Sequence, residues 1–269
     1  MTDPNSSLLA LLDLHGKTAI VTGGGAGIGR SIATHLARAG ASVVIADLDS
    51  GAADLTVKEL WVDDLDAMTV RADVSSEPDV AAMIRAAVEW RGGIDILVNN
   101  AGIFPTVPVL DMTAEAFSHV IDVNLKGVYL CSRLVAQQMV RQGHGGRIIN
   151  VTSVDALHPS SVGLAHYDAS KHGAWGFTKN LALELAPHHV WVNAIAPGAI
   201  LTPGVEAMQK ASGAVVDPAE MLESFLARIP MGRIGSPDDI GKVALFLASD
   251  MASYMTGAQV VVDGGVLLS

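Results

Sequence analysis

Short apolar stretches alternate with longer amphipathic stretches along most of the chain. The first two apolar stretches, residues 17–22 and 42–47, are of strand length and rich in Val and Ile, and each precedes a segment with helical spacing. Continuous apolar strands are typical of a sheet that is buried on both faces, and helical crossovers between strands require parallel pairing. The same pattern predicts further strands at 67–72, 94–98, 147–151, 190–195 and 259–262, and helices at 28–38, up to about 62, 77–90, 115–141, 166–186 and 237–247.

This alternation predicts an α/β fold, with a single doubly wound, Rossmann-type parallel sheet and helices on both of its faces. Residues 14–269 show no linker and no second apolar core, so we expect one domain preceded by an arm over residues 1–13. Residues 198–235 are too long for a plain connection in a compact domain, and we expect them to form a substrate lid. A structural excursion or an oligomer contact is the alternative for that segment.

Composition and charge narrow the classes of function. The chain has 269 residues, a formal net charge of −11 and one cysteine, Cys131. A strongly acidic chain lacks the basic face that binds nucleic acid, a lone cysteine makes no disulfide within the chain, and no apolar stretch is long enough to span a membrane. The nine histidines show no metal-ligand spacing, so we expect no metal site. Because no charged head of a secretory signal precedes Lys17, we expect a cytoplasmic protein.

A glycine-rich run lies between the first predicted strand and the first predicted helix. Residues 22–29 read TGGGAGIG, and a dinucleotide-binding loop requires this context of strand, glycines and helix. Glycines let the backbone approach a pyrophosphate, and the helix N-terminus supplies N–H donors and the positive end of its dipole. The run therefore predicts that the phosphates of a dinucleotide bind here.

Acidic residues at the ends of the second and third strands refine the choice of dinucleotide. Asp47 can accept hydrogen bonds from both hydroxyls of the adenosine ribose, whereas a 2′-phosphate would meet its like charge. Neither Ala26 nor Leu48 is basic, so we expect NAD rather than NADP. Helix capping is the alternative role for Asp47, and it also stays open for Asp73, which could accept from the adenine amino group.

Tyr167 and Lys171 are four residues apart in a predicted helix, so their side chains share one face. An ammonium beside a phenol favours the phenolate and lowers the pKa of the phenol, which suits a general acid or base near neutral pH. The chain has only three tyrosines, so a chance pairing with a lysine at this spacing is uncommon. A surface Tyr and Lys side by side are the alternative.

Together these motifs resemble those of the short-chain dehydrogenase/reductase family over residues 14–265. The matching segments are TGGGAGIG (22–29), ADV (72–74), NNAG (99–102), VNLKG around Asn124, NVTSV around Ser153, YDASK (167–171), NAIAPG (193–198) and VVDGG (261–265). The resemblance implies a nicotinamide-dependent oxidoreductase that works without a metal on a small-molecule substrate. It also implies a homotetramer, or else a dimer, built on the helices that begin near Glu115 and His166.

The resemblance further implies a role for each matching position. Tyr167 would be the acid/base that exchanges a proton with the reacting oxygen, and Lys171 would lower its pKa and hold the nicotinamide ribose. Ser153 would hydrogen-bond the reacting oxygen, and Asn124 would hold a water in a proton relay to Lys171. The implied dinucleotide contacts are Gly23, Ala26, Gly27, Ile28, Asp47, Leu48, Asp73, Val74, Asn99, Ala101, Gly102, Tyr167, Lys171, Pro197, Gly198, Ile200 and Thr202.

Clues to the substrate are few. Asp155 lies two residues after Ser153, on a loop that should face the pocket, so its carboxylate either reaches water or binds a substrate hydroxyl or amine. His158, Leu164 and His166 line the same wall in this interpretation, and Phe104, Pro105 and the 201–225 segment add apolar surface. A solvated position is the alternative for Asp155.

Our sequence-based hypothesis is a NAD-dependent oxidoreductase that interconverts a secondary alcohol and a ketone, with a polyol or hydroxy-alcohol favoured because of Asp155. A cyclic, apolar alcohol is the next hypothesis. A 3-oxoacyl thioester is the third hypothesis. It is disfavoured because the acidic chain repels an acidic carrier protein, and because biosynthetic reductions usually use NADP, which Asp47 disfavours. The competitor from a different class is a protein that binds the dinucleotide without catalysis, which needs no phenol that shuttles protons.

Overall fold

The structure is a computed structural model of the chain, and it describes residues 8–202, 204 and 226–268. Within these residues, seven strands form a parallel sheet with helices on both faces. The strands are β1 (Thr18–Thr22), β2 (Ser42–Asp47), β3 (Ala67–Arg71), β4 (Ile96–Asn99), β5 (Gly146–Val151), β6 (Val190–Pro197) and β7 (Gln259–Val262). The α-helices are α1 (Leu8–Leu11), α2 (Gly27–Arg38), α3 (Ser50–Val62), α4 (Glu77–Arg91), α5 (Ala114–Ile121), α6 (Gly127–Gln142), α7 (Ala165–Leu185) and α8 (Pro237–Ala248). None of these described helices combines the length and the apolarity needed to cross a membrane.

The strand order is β3-β2-β1-β4-β5-β6-β7, so the winding of the chain reverses between β1 and β4. β1 pairs in parallel with β2 on one side and with β4 on the other. In doubly wound sheets, the loops that follow the strands at such a reversal diverge and leave a crevice at the carboxyl edge. The predicted α/β class and sheet type are confirmed, and the reversal lies where the glycine-rich run begins.

Apolar side chains from the sheet pack into two clusters, one on each face. Successive residues of β1 divide between them: Ala19 and Val21 join the cluster that includes α2 and α8, and Ile20 joins the cluster that includes α4 and α6. All three side chains are fully buried, which explains why the strand shows no polar alternation. Burying one Val or Ile side chain stabilises a fold by about 1.5–3 kcal/mol.

The helix predicted over residues 115–141 is interrupted. α5 ends at Ile121, and Asp122–Lys126 form a turn of π-helix before α6 begins at Gly127. Asn124 lies in this turn and is fully buried. Turns of this kind are frequent at functional sites. The five residues include no Gly and no Pro, so the sequence carries no break signal at this point.

Two predicted segments lie partly outside the described residues. In the arm, residues 1–7 are outside, α1 follows, and Leu14 is buried against the body. In the lid predicted over 198–235, residue 203 and residues 205–225 are outside. The described flanks of that segment join each other, because the Leu201 N–H donates to the Gly235 carbonyl at 2.9 Å.

A chain of buried polar side chains ties β4, β5 and α7 together. The Asn99 amide nitrogen donates to Ser132 Oγ and to Asn150 Oδ1, both at 2.8 Å. Asn150 donates in turn to Thr178 Oγ1 at 2.8 Å, and Thr178 donates to the Ala174 carbonyl at 2.7 Å. The four polar side chains are buried, so each bond replaces one that water would otherwise make. This network holds α7 against the strands that carry the candidate site.

We expect Asn150→Ala to lower the free energy of unfolding by about 2 kcal/mol or more, because it removes the acceptor of a buried Asn99 N–H and the donor to Thr178. Asn180, an exposed asparagine on α7, supplies a matched control. Asn180→Ala should change the same free energy by less than about 0.5 kcal/mol. Urea unfolding followed by circular dichroism measures both values, and equal losses would show that the network does not stabilise α7.

Candidate active site

The loop between β1 and α2 has the geometry of a phosphate cradle. Gly23 has a φ of +63°, in the left-handed region, and a Cβ at this position would lie 2.9 Å from the Ala101 Cα. Ala26 is the N-cap residue of α2, Gly27 and Ile28 open the helix, and no side chain of the described residues caps this first turn. The N–H groups of the turn can therefore serve an anion, whose negative charge the helix dipole favours.

A second loop, which follows β4, is clamped to this cradle. Asn100 Nδ2 donates to the Thr22 and Gly23 carbonyls, each at 3.0 Å. The Thr22 hydroxyl accepts the N–H groups of Asn100 at 3.1 Å and of Ala101 at 3.2 Å. The clamp places Ala101 directly against Gly23. Sequence reasoning missed Asn100, although it stands inside the NNAG motif beside the predicted Asn99.

Asp47 ends β2 beside the cradle. Its carboxylate accepts the N–H of Gly25 at 2.9 Å and the N–H of Asp49 at 3.0 Å. The alternative to a ribose contact was a helix cap or a turn residue. Asp49 is the N-cap residue of α3, so Asp47 does not cap that helix, but its bond to the Asp49 N–H is a turn contact, and this part of the alternative stays open. Leu48 is exposed next to it. Arg71, which sequence reasoning missed, stands opposite Asp47 in the register of β2 and β3, and the pairing of strands distant in sequence hid it.

Asp73 follows β3 on the same edge of the sheet. Its carboxylate accepts the Ser75 hydroxyl at 2.6 Å and the Ser75 N–H at 2.8 Å. The bond from the Ser75 hydroxyl is the main reason that the pKa of Asp73 lies below its usual value. The N-cap residue of α4 is Ser76, so Asp73 does not cap that helix.

A small gap, too narrow to hold a water molecule, lies near the ends of β1 and β4. Three of the predicted dinucleotide contacts, Val74, Asn99 and Ala101, line this gap, and the amide nitrogen of Asn99 donates within the buried network. Asn99 Oδ1 is buried and has no hydrogen-bond partner within the described part of the chain. The full lining is Thr22, Val74, Asn99, Ala101, Val123, Gly127 and Val128.

The predicted catalytic residues Tyr167, Lys171 and Ser153 meet at the carboxyl edge of β5. Lys171 is buried, and its Nζ donates to the Val151 carbonyl, the last residue of β5, at 2.8 Å. The same Nζ lies 5.5 Å from the centroid of the Tyr167 ring. Ser153 is buried two residues after the end of β5 and is a hydrogen-bonding neighbour of Tyr167. Tyr167 and Lys171, the two predicted residues on α7, therefore both lie at the end of β5.

Asn124 is held through both ends of its side-chain amide. Oδ1 accepts the Ile103 N–H at 2.8 Å, and Nδ2 donates to the Ile103 carbonyl at 2.8 Å and to Ser170 Oγ at 3.1 Å. A Cβ on Gly102 would lie 3.3 Å from Asn124 Oδ1 and 3.7 Å from Lys171 Nζ, so the two side chains approach the same point. The role of Asn124 in a water relay stays a prediction.

Burial dominates the protonation of the Tyr167–Lys171 pair. It raises the pKa of the Tyr167 phenol; the neighbouring Ser153 hydroxyl opposes this rise, and the charges of Asp155 and Asp168 add to it. Burial lowers the pKa of Lys171 to about 8, and the charge of Asp155 opposes that fall. The net direction for Tyr167 is a rise in pKa, which burial causes, and the expectation that Lys171 lowers the pKa of Tyr167 stays a prediction.

Asp155 is buried, with 6% of its surface exposed. Its Oδ2 accepts the Ser153 hydroxyl at 2.7 Å, and its Oδ1 accepts the Ser160 N–H at 3.0 Å. The alternative of a solvated loop residue is wrong, because the carboxylate has exchanged water for these donors. Both of its oxygens are already bonded, which weakens the case for a polyol substrate.

The surface around Tyr167 is apolar on one side. Phe104 packs edge-on against Tyr167, with the two ring centroids 6.1 Å apart. A Cβ on Gly204 would lie 3.6 Å from Phe104 Cζ, so Phe104 stands between the phenol and the described edge of the predicted lid. Leu164 is buried in the loop before α7, whereas His158 is exposed and its Nδ1 bonds the next carbonyl along the chain.

The end of β6 carries the remaining predicted dinucleotide contacts. β6 runs two residues further than expected and ends at Pro197. The Gly198 N–H donates to the Val262 carbonyl at 2.9 Å, which fixes this end beside β7. Ile200 is buried and Thr202 is partly buried, so the loop enters the lid region along the body of the protein.

Two further polar residues lie beside Tyr167: His166, which the sequence placed on the substrate wall, and Asp168, which sequence reasoning missed. His166 is fully buried, and its Nδ1 accepts the Tyr167 N–H at 3.0 Å. Burial is the main cause that raises the pKa of the Asp168 carboxyl, and Asp155 adds to it. His166 Nε2 and Asp168 Oδ1 are buried and have no hydrogen-bond partner among the described residues. Both residues flank the Tyr that the sequence singled out, but helical spacing alone does not show burial.

This edge of the sheet fits a dinucleotide. The first turn of α2 offers donors to a pyrophosphate, and Asp47 lies at the end of the neighbouring strand, where its carboxylate can reach a ribose. Gly25 keeps this carboxylate close to the cradle, because a Cβ there would lie 2.9 Å from Asp47 Oδ2. Over the described ranges, no cluster of three or more His, Cys, Asp or Glu side chains could hold a metal ion.

Comparison with known proteins agrees with this geometry. The family model described as enoyl-(acyl carrier protein) reductase matches residues 23–267. An uncharacterized oxidoreductase of Mycobacterium bovis is 43% identical over 252 residues, which cover 94% of this chain and 97% of the relative. The L-rhamnose 1-dehydrogenase (NAD(P)(+)) of a Sphingomonas species is 39% identical over 257 residues, which cover 95% of this chain and 98% of the relative.

Solved structures show the same fold. A short-chain type dehydrogenase/reductase from Mycobacterium marinum superimposes with a TM-score of 0.91 at 38% identity, covering 98% of this chain and 100% of that chain. A 7α-hydroxysteroid dehydrogenase complexed with NADH and a 7-oxo bile acid gives a TM-score of 0.88 at 38% identity, covering 97% of this chain and 98% of that chain.

A further sequence relative acts on a different kind of substrate. A 3-oxoacyl-(acyl-carrier-protein) reductase from Thermotoga maritima is 37% identical over 260 residues, which cover 95% of this chain and 99% of the relative. Because these names span several substrates at similar identity, they define the family and leave the substrate open. The chain belongs to the short-chain dehydrogenase/reductase family of oxidoreductases.

Proposed function

We propose that the protein is a NAD-dependent oxidoreductase that interconverts a secondary alcohol and a ketone, with Tyr167 as the acid/base. The observation that supports this proposal best is the meeting of Tyr167, Lys171 and Ser153 at the end of β5, on the same edge of the sheet as the phosphate cradle. A buried ammonium next to a phenol costs free energy that binding a dinucleotide does not require. The non-catalytic alternative leaves this arrangement unexplained.

Each group has a chemical task in this proposal. The bound nicotinamide supplies or accepts the hydride, and the protein handles the proton. Tyr167 gives a proton to the carbonyl oxygen in reduction and takes it back in oxidation. Lys171, fixed by the Val151 carbonyl, keeps a positive charge beside the phenol and within reach of a ribose hydroxyl. Ser153 lies beside the phenol and contacts the reacting oxygen.

The surroundings of Asp47 favour NAD over NADP. In support of this choice, the Asp47 carboxylate lies at the end of β2, and the next residue in sequence is the exposed and uncharged Leu48. Arg30, a cation early in α2, is paired with Glu59. NADP is the second candidate, and one observation favours it: Arg71 faces Asp47 in the β2–β3 register, where a guanidinium could meet a 2′-phosphate.

For the substrate, we favour a secondary alcohol with an apolar, cyclic body over a polyol. The polyol hypothesis rested on a carboxylate ready to bind hydroxyl groups, but Asp155 is bonded to Ser153 and Ser160. Phe104 instead offers an apolar wall beside Tyr167. A 3-oxoacyl thioester is the second candidate, supported by the similarity to the Thermotoga maritima reductase and opposed by the net charge of −11, which repels an acidic carrier protein.

We also propose a homotetramer, or else a dimer, in the cytoplasm. Large apolar side chains are exposed on the helices that the resemblance assigns to subunit contacts: Phe117 on α5, Tyr129 on α6 and Leu183 on α7. Apolar side chains exposed on neighbouring helices are typical of a surface that another subunit covers. Size-exclusion chromatography with light scattering measures the assembly.

Tyr167→Phe should lower kcat by roughly 100-fold to 10,000-fold, because the site loses its proton donor and acceptor. NADH binding, followed by its fluorescence, should change less than about twofold. Tyr254→Phe, on a fully exposed tyrosine, is the matched control and should keep full turnover. Activity is read by absorbance of the reduced nicotinamide on cyclohexanol, glycerol, L-rhamnose and acetoacetyl-coenzyme A. Turnover that survives in Tyr167→Phe would remove the proposed role, and a wild type that binds NADH but turns over nothing would favour the non-catalytic alternative.

Asp47→Ser should lower kcat/KM for NAD⁺ by about tenfold or more, because charge-assisted bonds to the ribose are lost. The same change should raise kcat/KM for NADP⁺, because a like charge no longer faces the 2′-phosphate. Arg71→Gln in the Asp47→Ser background should remove this gain and leave kcat/KM for NAD⁺ within about twofold. A wild type that prefers NADP⁺ would contradict the cofactor assignment.

A further inference from the structure

One backbone hydrogen bond joins the loop after β4 to the segment that leads into α7. The Val107 N–H donates to the Gly163 carbonyl at 2.9 Å. Gly163 is buried and directly precedes Leu164, the N-cap residue of α7. The bond therefore ties the loop after β4 to the start of the helix that carries Tyr167.

The close approach of the two segments at this bond requires a glycine. Gly163 has a φ of +87°, in the left-handed region that other residues rarely adopt. A Cβ at this position would lie 2.7 Å from Thr106 Cγ2 and 3.2 Å from the Val107 nitrogen. Any side chain on residue 163 would therefore push the loop away at the point where the hydrogen bond is made.

The same two segments meet a second time at the proposed acid/base. Phe104 lies three residues before Val107, and Tyr167 lies four residues after Gly163. The rings of Phe104 and Tyr167 pack edge-on, with their centroids 6.1 Å apart. The backbone bond and the ring contact therefore close a short loop of chain, in which the bond limits how far Phe104 can move from Tyr167.

We propose that Gly163 is a specificity-determining positioning residue, which holds Phe104 beside Tyr167 and so limits the size of the alcohol that the site accepts. This inference rests on the proposed function, because Phe104 can select a substrate only if Tyr167 reacts with one. The helix that carries Tyr167 has an anchor of its own, the bond from Lys171 to the Val151 carbonyl. Loss of the junction should therefore weaken the binding of a small alcohol and leave the rate of its reaction nearly unchanged.

Steady-state oxidation of cyclohexanol and of menthol, a bulkier cyclohexanol, tests the selection by size. In Gly163→Ala the new Cβ displaces the loop and Phe104 with it, so KM for cyclohexanol should rise about tenfold while kcat stays within about threefold. The ratio of kcat/KM for menthol to kcat/KM for cyclohexanol should rise by about tenfold, because the wall no longer excludes the larger body.

Gly143 supplies the matched control, because its φ of +74° lies in the same left-handed region. A Cβ at Gly143 would meet no atom of the described residues within 4 Å, its own chain neighbours aside. Gly143→Ala therefore introduces the same kind of backbone strain without the contact, and it should change KM and the ratio by less than about twofold.

Combined variants show whether Gly163 acts through Phe104 and the loop. Phe104→Ala removes the wall directly, so Gly163→Ala added to it should contribute less than half of its own change in the ratio. Thr106→Ser removes the methyl group that the new Cβ would meet and keeps the hydroxyl. In the Gly163→Ala background, Thr106→Ser should therefore reverse at least half of the change in KM. Full additivity with Phe104→Ala, or a fall in kcat at unchanged KM, overturns the proposal.

Hydrogen exchange tests the junction without turnover. The Val107 N–H, followed by mass spectrometry of peptides that span residues 104–110, should exchange at least about tenfold faster in Gly163→Ala and at the wild-type rate in Gly143→Ala. An unchanged rate in Gly163→Ala overturns the proposal. If Gly163→Ala does not fold, Val107→Pro deletes the donor of the same bond and must give the same change in the ratio.

The two measurements also separate this inference from the proposed function. A wild type that turns over no substrate of the panel contradicts the proposed function and with it the selection of alcohols, while the exchange rates still decide whether Gly163 holds the loop. A wild type that acts only on substrates of the panel other than cyclohexanol and menthol overturns the selection by Phe104.

Discussion

The reversal of winding between β1 and β4 is the constraint on which the rest of the site depends. Because all seven strands of the described sheet are parallel, every loop that follows a strand starts on the same edge. At the reversal, the loop after β1 and the loop after β4 leave that edge in different directions. Asn100 and Thr22 clamp the two loops together at their roots, so the crevice between them has one shape. The phosphate cradle is thus a consequence of topology, and the glycines permit it.

The proton-handling residues depend on a second constraint, the fixed position of α7. Asn150 and Thr178 connect this helix to the interior of the sheet, and Lys171 connects it to the last carbonyl of β5. These contacts come from one face of the helix, spaced by about two turns. A rigid helix with two anchors can hold Tyr167 in place, and Phe104 packs against its ring. The stability of the core and the precision of the site therefore come from the same buried polar bonds.

The sequence predicted the parts of the protein that depend on local pattern. β1 could be predicted because a strand that is buried along its whole length appears in the sequence as a short apolar run. The Tyr167–Lys171 pair could be predicted because helical spacing places residues i and i+4 on one face. The π turn could not be predicted, since Asp122–Lys126 include no Gly and no Pro. Only tertiary packing selects a π turn over a regular helical turn at this place. Asn100 and Arg71 were missed because their importance comes from strands that pair across the sheet. The net rise in the pKa of Tyr167 was missed for a related reason: a sequence shows which charges are near in the chain, but not how much water the fold removes.

Asp155 shows how such a miss changes an argument about specificity. From the sequence, a carboxylate two residues after Ser153 suggested a contact for substrate hydroxyl groups. In the fold, the same carboxylate is buried and bonded to the Ser153 hydroxyl and to the Ser160 backbone. The surface left to recognise the substrate beside Tyr167 is then apolar, with Phe104 as its described member. An apolar wall discriminates weakly between substrates of similar size, by about 1–3 kcal/mol for each methylene group. If the proposed function is right, we therefore expect strong selectivity to come from polar groups that lie farther from the phenol than Phe104 does.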